Sequence, residues 1–215
     1  MTVDRSIPFF NTLMKRESLP LPPDAPLPDG VVLRTFQPGY ERDWARLHVE
    51  TGDFASAEEA EAYFRKTYLS KPDELQRRGV FAVKADENRV IGACIAWRDK
   101  SKPSVRPSVP DVASVHWLVV DEAFHRQGIA RAVMTELLRR YAALGEAPIY
   151  LHTQPWSWKA ILLYDSLGFR LQKTDTFSDY VNQYDEAVQT LTALSAAHPE
   201  ALSPEALKTL LSHAE

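Results

Sequence analysis

Cysteine is nearly absent from this sequence: Cys94 is the only one in 215 residues. An intrachain disulfide is therefore impossible, and a metal site built on clustered thiolates is excluded. Cys94 lies within an apolar run of strand composition, where a lone cysteine usually serves as a small buried filler. We therefore predict neither a catalytic cysteine nor a metal site.

Long apolar runs and basic runs are missing as well. No apolar stretch approaches the roughly 20 residues that a membrane span needs, and the first residues contain no signal-peptide core. A net charge of −4 without a basic patch argues against a nucleic-acid partner. The sequence thus predicts a cytoplasmic globular protein with no membrane association and no nucleic-acid partner.

The two best-known phosphate-binding loops are also absent. The sequence contains no G-x-x-x-x-G-K-[ST], and Gly128 has no second glycine at the spacing of G-x-G-x-x-G. Gly128 instead follows a strand-like run (115–120) and a short polar link, and apolar residues recur at helical spacing from Ile129 onwards. Because the first amides of a helix attract anions, phosphate above all, this junction predicts an anion site, flanked by Arg126 and Arg131.

The loop at this junction resembles the acyl-CoA loop of the GCN5-related N-acetyltransferases (GNAT), which is written [Q/R]-x-x-G-x-[G/A]. In this sequence the six positions are His125, Arg126, Gln127, Gly128, Ile129 and Ala130. The glycine and the alanine match, and His125 stands where Gln or Arg is expected. The alternative is a helix start that simply needs a glycine for its turn.

A second segment resembles the other signature of this family, N-x-x-A-x-x-L-Y-x-x-x-G-F. The matching residues are Ala160, Leu163, Tyr164, Gly168 and Phe169, with Ser157 at the Asn position. Helical spacing places Tyr164 on the face that carries the packing residues, so a core role is the alternative. The register of the motif favours the tyrosine that, in the family, commonly lies beside the CoA sulfur.

The resemblance covers residues 31–171 and implies an α/β (α+β) fold. It predicts a mixed, mostly antiparallel central sheet flanked by helices, with the acyl-CoA site between two splayed parallel strands, 115–120 and 148–153. We predict a proline-rich N-terminal arm (1–30), a GNAT-like domain (31–175) and a C-terminal helical extension (176–215). The helices of the extension could pack on the domain, cover the acceptor pocket or form a subunit contact, which leaves a homodimer open.

Local patterns predict the remaining elements. The arm should be an irregular strap, because its proline density forbids a helix. The other predictions are a strand at 31–36, a helix with Trp44 and His48 on one side, a helix opened by a capping box at Ser56 and running through Tyr68, a hairpin of 80–84 with 90–97, a surface loop at 100–110 that could edge the active site, and helices at 179–194 and after Ser203.

The resemblance also implies how acetyl-CoA would be held as a cosubstrate. Backbone groups of Leu118, Val119 and Val120 would pair with the pantetheine arm. Loop amides from Arg126 to Arg131 would hold the pyrophosphate, so Gln127, Gly128, Ile129 and Ala130 are predicted cofactor-binding positions together with His125 and Ser157.

Two proton transfers then need side chains. The departing thiolate, of pKa about 8.5, should be protonated, and we assign Tyr164, of pKa about 10, as the general acid. For the general base we favour His116, which strand alternation places on the face of Leu118 and Val120. A structural histidine bonded to a backbone carbonyl is the alternative, and the reserve candidates are His152, Glu50 and Asp53, of which the last two belong to a loop that in the family borders the acceptor pocket.

The sequence therefore predicts a GNAT-type N-acetyltransferase that moves an acetyl group from acetyl-CoA to a primary amine by direct attack in a ternary complex. A small-molecule amine is favoured as the acceptor. The alternatives are an acyl-CoA-binding regulatory or structural protein without turnover, and a protein N-acetyltransferase. Trp117, Trp156 and Trp158 flank the presumed site, either as packing residues or as an aromatic floor for the acceptor.

Overall fold

A computed structural model describes residues 5–17, 20–101 and 110–215. Its strands are β1 Thr12–Arg16, β2 Val31–Arg34, β3 Gly79–Lys84, β4 Arg89–Lys100, β5 Asp111–Val120, β6 Ile149–Thr153 and β7 Arg170–Leu171. Its α-helices are α1 Tyr40–Glu50, α2 Ala57–Phe64, α3 Pro72–Arg78, α4 Ile129–Ala143, α5 Trp158–Ser166, α6 Tyr184–Ala197 and α7 Pro204–Ser212. Most of the loop predicted at 100–110 lies outside the described residues.

The strands form one mixed sheet in the order β2-β3-β4-β5-β6-β1-β7. β5 and β6 are parallel, with Ala113 opposite Ile149 and Ser114 opposite Tyr150. β2 with β3, β3 with β4, and β1 with both β6 and β7 are antiparallel. The predicted mixed, mostly antiparallel sheet flanked by helices is therefore confirmed.

Strand β1 belongs to the arm that the sequence predicts as irregular, and that prediction is wrong for residues 12–16. Leu13 pairs with His152 of β6 and Met14 pairs with Leu171 of β7. Four of the five residues of β1 are buried, and the dense prolines begin only after this strand, at Pro20. The arm therefore contributes a strand to the sheet, in addition to its proline-rich stretch.

The chain divides into two compact units. The first contains Leu21–Trp97 and Val115–Glu146, and the second contains the described parts of Val3–Pro20, Arg98–Ser114 and Ala147–Glu215. Aromatic side chains dominate the core of the first unit, where Trp44, Phe64 and Tyr68 are fully buried. The core of the second unit includes a cluster built around Leu13, Tyr150 and Phe177.

The second helix after β2 begins and continues as its sequence predicts. Ser56 caps α2, with its hydroxyl accepting a hydrogen bond from the Glu59 amide at 3.2 Å. The Glu59 carboxylate accepts from the Ala55 amide, so both side chains of the capping box are used. The helix continues through Tyr68, and its last turn, Arg65–Leu69, widens to a π-helix, a feature that often occurs at functional sites.

The two helices predicted in the C-terminal extension are present as α6 and α7, but α6 spans Tyr184–Ala197, so the predicted start at residue 179 is wrong. Ser203 caps α7 by accepting a hydrogen bond from the Ala206 amide at 3.1 Å. The chain end then pairs with β7, since the Glu215 amide donates to Leu171 O at 2.8 Å. The extension thus packs on its own unit. In the described ranges, no helix has both the length and the apolar character that crossing a membrane requires.

Candidate active site

The junction between β5 and α4 has the conformation that its glycine predicts. β5 ends at Val120, a single 3-10 turn covers Glu122–Phe124, and α4 begins at Ile129. Arg126 and Gly128 both have left-handed backbone conformations, with φ of 65° and 83°. Left-handed residues in a turn direct successive amides into one concavity, and this concavity opens the 15-residue helix α4. The junction therefore has the local geometry of an anion site.

His125 is held against the strand that precedes it. Its Nε2 lies 2.9 Å from Val120 O, so this nitrogen carries the proton and donates to the carbonyl. Asp121 fixes the start of the same loop, because its carboxylate accepts from the Ala123 amide and pairs with Arg89. The histidine at the position where the family has Gln or Arg thus has a local role in shaping the loop, and its contact with CoA stays a prediction.

Residues of the proline-rich stretch lie beside the same loop. The carbonyl oxygen of Pro26 is 3.5 Å from the place that a Cβ on Gly128 would occupy. Asp24 forms an ion pair with Arg139, on a later turn of α4. A side chain at position 128 would therefore be strained by the backbone angle, and its Cβ would lie in ordinary contact with the Pro26 carbonyl.

Trp117 breaks the alternation of β5. Its φ is 57°, a region that a bulky residue rarely adopts. As a result His116 contacts Tyr68 on the side where Trp117 also packs, whereas Val120 faces Gly92 and Ile129 on the α4 side. The expectation that His116 and Val120 share a face is therefore wrong.

His116 forms a hydrogen bond with a buried tyrosine. Its Nδ1 lies 2.9 Å from the hydroxyl of Tyr68, which is fully buried. Its backbone carbonyl accepts from the thiol of Cys94 at 3.4 Å. Because Tyr68 engages Nδ1, any transfer of a proton to this side chain from a substrate would use Nε2.

Cys94 is fully buried within β4. Its sulfur contacts His116 O and lies 3.9 Å from the sulfur of Met134. Burial raises the pKa of the Cys94 thiol far above its ordinary value, so the reactive thiolate is strongly disfavoured. The geometry agrees with a filler and gives no support to an acyl-cysteine intermediate.

Three aromatic rings contact His48 in the first unit and a fourth packs on those three, and we call the four the ring cluster. They are Trp44 on α1, Phe54 after it, Tyr63 on α2 and Trp117 on β5. The His48 ring centroid lies 4.2 Å from that of Trp44, 5.1 Å from that of Trp117 and 6.3 Å from that of Phe54. Tyr63 closes the cluster by stacking parallel to Trp44 and by accepting a hydrogen bond from Trp117 Nε1 at 3.2 Å.

His48 and Asp53 form a carboxylate–imidazole pair beneath this cluster. Asp53 Oδ2 lies 2.8 Å from His48 Nδ1 and accepts a second hydrogen bond from the Thr51 hydroxyl. Among the described residues, the buried Nε2 of His48 has no hydrogen-bond partner. Burial lowers the pKa of His48, and the nearby Asp53 opposes that shift.

His48 was not among the site residues predicted from the sequence, and Asp53 was only a reserve candidate for the base. The available signals were a histidine and an aspartate five residues apart at a helix end, with Trp44 before them and Phe54 directly after. Glu50, the other reserve carboxylate in this region, is exposed and pairs with Arg46 at 2.9 Å.

Tyr164 lies on α5 in the second unit. Its side chain is buried, with 8% of its surface exposed, and its ring meets that of Phe169 at 6.0 Å. The neighbouring Asp165 pairs with Arg170 at 2.7 Å and with His213 at 3.0 Å. Helix α5 is thus fixed at its C-terminal end by the chain's last residues.

The other candidates of the second unit have local contacts. The hydroxyl of Ser157, at the start of α5, lies 3.4 Å from the side-chain oxygen of Gln154. His152, a reserve base, stacks on Tyr180 with ring centroids 4.0 Å apart. Trp156 contacts Phe9 and the guanidinium of Arg5, so it packs on residues that precede β1. Trp158 has the ammonium of its neighbour Lys159 over its ring.

Residues 41–169, more than half of the chain, match the family model described as "Acetyltransferase (GNAT) family". The chain belongs to the GNAT acetyltransferase family. Curated relatives of this GNAT chain include the mycothiol acetyltransferase of Salinispora tropica, which is 28% identical over 153 residues, covering 68% of this chain and 47% of the relative. The mycothiol acetyltransferase of Amycolatopsis mediterranei is 28% identical over 161 residues, covering 71% and 50%. The chain thus spans about half the length of the curated relatives that it matches.

Solved GNAT structures show the same fold. A GCN5-related N-acetyltransferase from Sphaerobacter thermophilus superposes with a TM-score of 0.59 at 20% identity, covering 77% of this chain and 49% of the other. A tandem GNAT protein from the clavulanic acid biosynthesis pathway gives a TM-score of 0.52 at 15% identity, covering 78% and 51%. At these identities the likeness concerns the fold alone.

Proposed function

We propose that this GNAT chain moves an acetyl group from acetyl-CoA to the primary amine of a small molecule. The observation that carries the proposal is the junction of β5 with α4, where two left-handed residues precede an uncapped helix start. Such a start binds phosphate through its backbone amides. The match to the acetyltransferase family covers this junction.

The predicted backbone contacts with acetyl-CoA lie in the first unit. The amides from Arg126 to Arg131 would hold the pyrophosphate, and the backbone from Leu118 to Val120 would pair with the pantetheine arm. A backbone amide aimed at the thioester oxygen would stabilise the negative charge that develops there during attack.

Direct transfer then requires balanced proton movements. An alkylammonium of pKa about 10.4 must lose a proton before it attacks, which costs about 4.6 kcal/mol at pH 7. Its nitrogen bonds to the acetyl carbon, the carbon–sulfur bond breaks, and Tyr164 donates its proton to the departing thiolate. The nitrogen loses its second proton to solvent as the amide forms, and solvent returns a proton to Tyr164. His116 is the base that the sequence favours.

A small-molecule acceptor is supported by the curated relatives, which are named for mycothiol, a small molecule. The burial of Cys94 supports direct attack by the amine on the thioester, because a buried thiol does not readily form an acyl-enzyme.

Replacement of the proposed acid tests this function. We expect Tyr164→Phe to lower amine-dependent thiol release at saturating acetyl-CoA by at least about 100-fold, the usual contribution of a general acid. Tyr184→Phe, at a partly exposed tyrosine of the same unit, serves as the control and should retain the wild-type rate. If the Tyr164→Phe protein keeps its rate within about twofold, Tyr164 is not the acid.

A further inference from the structure

The ring cluster contains a buried acceptor of hydrogen bonds that no described residue uses. Nε2 of His48 lies within it and has no partner in the described part of the chain. Nε1 of Trp44, a donor in the same cluster, is also buried without a described partner. A core built only for packing rarely leaves both kinds of polar atom unsatisfied at one place.

We propose that the ring cluster is the recess for the acyl acceptor and that His48 Nε2 receives the proton of the acceptor amine. This inference rests on the proposed function, because it assigns the acceptor side of the same acetyl transfer. It gives the role of base to His48 in place of His116.

Asp53 sets the protonation of the imidazole. Its carboxylate can only accept hydrogen bonds, so Nδ1 of His48 carries the proton and Nε2 presents its lone pair. The Thr51 hydroxyl donates to the same carboxylate oxygen at 2.8 Å and holds it in place. Two backbone amides, those of Asp53 and Phe54, donate to His48 O and fix the loop to the end of α1. Asp53 is therefore a positioning residue.

The surroundings keep His48 neutral and ready to accept a proton. Asp53 is the charged group that contacts the imidazole, and aromatic rings from α1, β5 and the loop after α1 pack against it. Burial among these rings lowers the pKa of His48. Phe54 and Trp117 are only partly buried and form the outer wall. Because Nε2 is buried, the proposal requires one of these two rings to turn aside when the acceptor binds.

Backbone strain holds Trp117 in this wall. Regular alternation would direct consecutive side chains of β5 to opposite faces, yet the left-handed Trp117 packs on the same side as His116. Strained residues of this kind persist where the surrounding structure requires them, and they concentrate at functional sites.

The lining indicates the class of acceptor. Aromatic faces attract ammonium groups, and the partly exposed Asp53 adds negative charge beside His48. The unused Nε1 of Trp44 matches an oxygen on the body of the acceptor. The geometry fits a primary ammonium carried on an apolar or aromatic body that bears an oxygen.

The sharpest test exchanges one atom of the positioning residue. Asp53→Asn removes the negative charge beside Nδ1, and when its amide nitrogen faces Nδ1 it donates there, which places the proton on Nε2 and removes the lone pair that the amine needs. We expect kcat/KM for the amine to fall by about 100-fold, with the affinity for acetyl-CoA unchanged. Asp86→Asn, at an exposed carboxylate of the β3–β4 turn, is the matched control. Since the Asp53 side chain is 31% exposed, the change leaves the core intact.

A second pair of variants reports the base itself. Wild-type kcat/KM should decline as the pH falls through the pKa of His48, and His48→Gln should be slow at every pH without that decline. His198→Gln removes an exposed histidine and should keep the wild-type pH profile.

Trp117→Phe tests the outer wall of the recess. It should raise KM for the amine more than it lowers kcat, because it makes the ring smaller and leaves the base in place.

The outcomes separate this inference from the proposed function. If the wild type releases thiol with an amine while Asp53→Asn and His48→Gln keep their rates within about twofold, the inference is overturned and the transferase stands. A selective loss in His116→Gln would then identify His116 as the base. If the wild type binds acetyl-CoA but releases thiol with none of the amines, the proposed function fails and this inference fails with it.

Discussion

Trp117 holds a backbone conformation that its side chain disfavours, and its neighbours explain why. Its indole stacks edge-on against Trp44 and His48 and donates a hydrogen bond to Tyr63. A left-handed conformation costs a residue of this type about 1–3 kcal/mol. The contacts of the ring must therefore offset that cost.

Substitution can separate the backbone cost from the contacts of the ring. Trp117→Ala and Trp117→Gly both lose the indole, but only glycine relaxes at a φ of 57°. We expect the glycine variant to be more stable by about 1 kcal/mol. Urea unfolding of both variants measures the difference. At Val119, in the same strand, the glycine variant should instead be less stable than the alanine variant by about 1 kcal/mol. If alanine were the more stable variant at both positions, the proposed backbone strain at Trp117 would be refuted.

At the scale of single elements, two glycines in comparable backbone conformations flank helix α4. Gly128 precedes its first turn with a φ of 83°, and Gly145 follows its last turn with a φ of 67°. A Cβ at Gly128 would lie in ordinary contact with the Pro26 carbonyl, whereas a Cβ at Gly145 would meet nothing within 4 Å. The two ends of one helix therefore provide a test and its control.

We expect Gly128→Ala and Gly145→Ala each to cost about 1 kcal/mol of stability, because alanine is strained in both conformations. Only Gly128→Ala should weaken acetyl-CoA binding, by about tenfold or more, which corresponds to about 1.4 kcal/mol. Calorimetric titration with acetyl-CoA measures this effect. Equal affinities in the two variants would show that the junction at Gly128 is no more than a helix start.

Elements with local signals were predictable from the sequence. The capping serines of α2 and α7, the β3–β4 hairpin and the glycine before α4 each mark their own boundaries. β1 was not predictable, because its place between β6 and β7 depends on pairing with residues more than 130 positions away. For the same reason Asp53 could be predicted only as a reserve candidate. Its partner His48 contacts Trp117, which is distant in the sequence, and the left-handed conformation of Trp117 that allows this contact is not marked by any local pattern.

At the scale of the whole molecule, the buried His48 makes stability depend on pH. Its pKa is lowered in the folded state, and an unfolded histidine titrates near about 6.5. Above that pH both states are neutral and the contribution of the buried imidazole is complete. As the pH falls below it, the unfolded chain binds a proton that the folded chain refuses, so stability is lost until the folded pKa is reached.

We therefore expect wild-type stability to fall relative to that of His48→Gln as the pH decreases from about 7.5 to 5.5, with a slope of at most about 1.36 kcal/mol per pH unit. Parallel urea titrations of the two proteins measure this difference. A constant difference across that range would mean that His48 titrates alike in the folded and unfolded chains.

The measurement that tests the whole account most directly is the stoichiometry of the transfer. The protein is incubated with acetyl-CoA and a panel of primary amines on apolar or aromatic bodies, and free CoA thiol and acetylated amine are quantified together. We predict thiol release only when an amine is present, with one acetylated amine for each thiol. Binding of acetyl-CoA without release across the panel, or release without an acetylated amine, would contradict the assignment as an amine acetyltransferase.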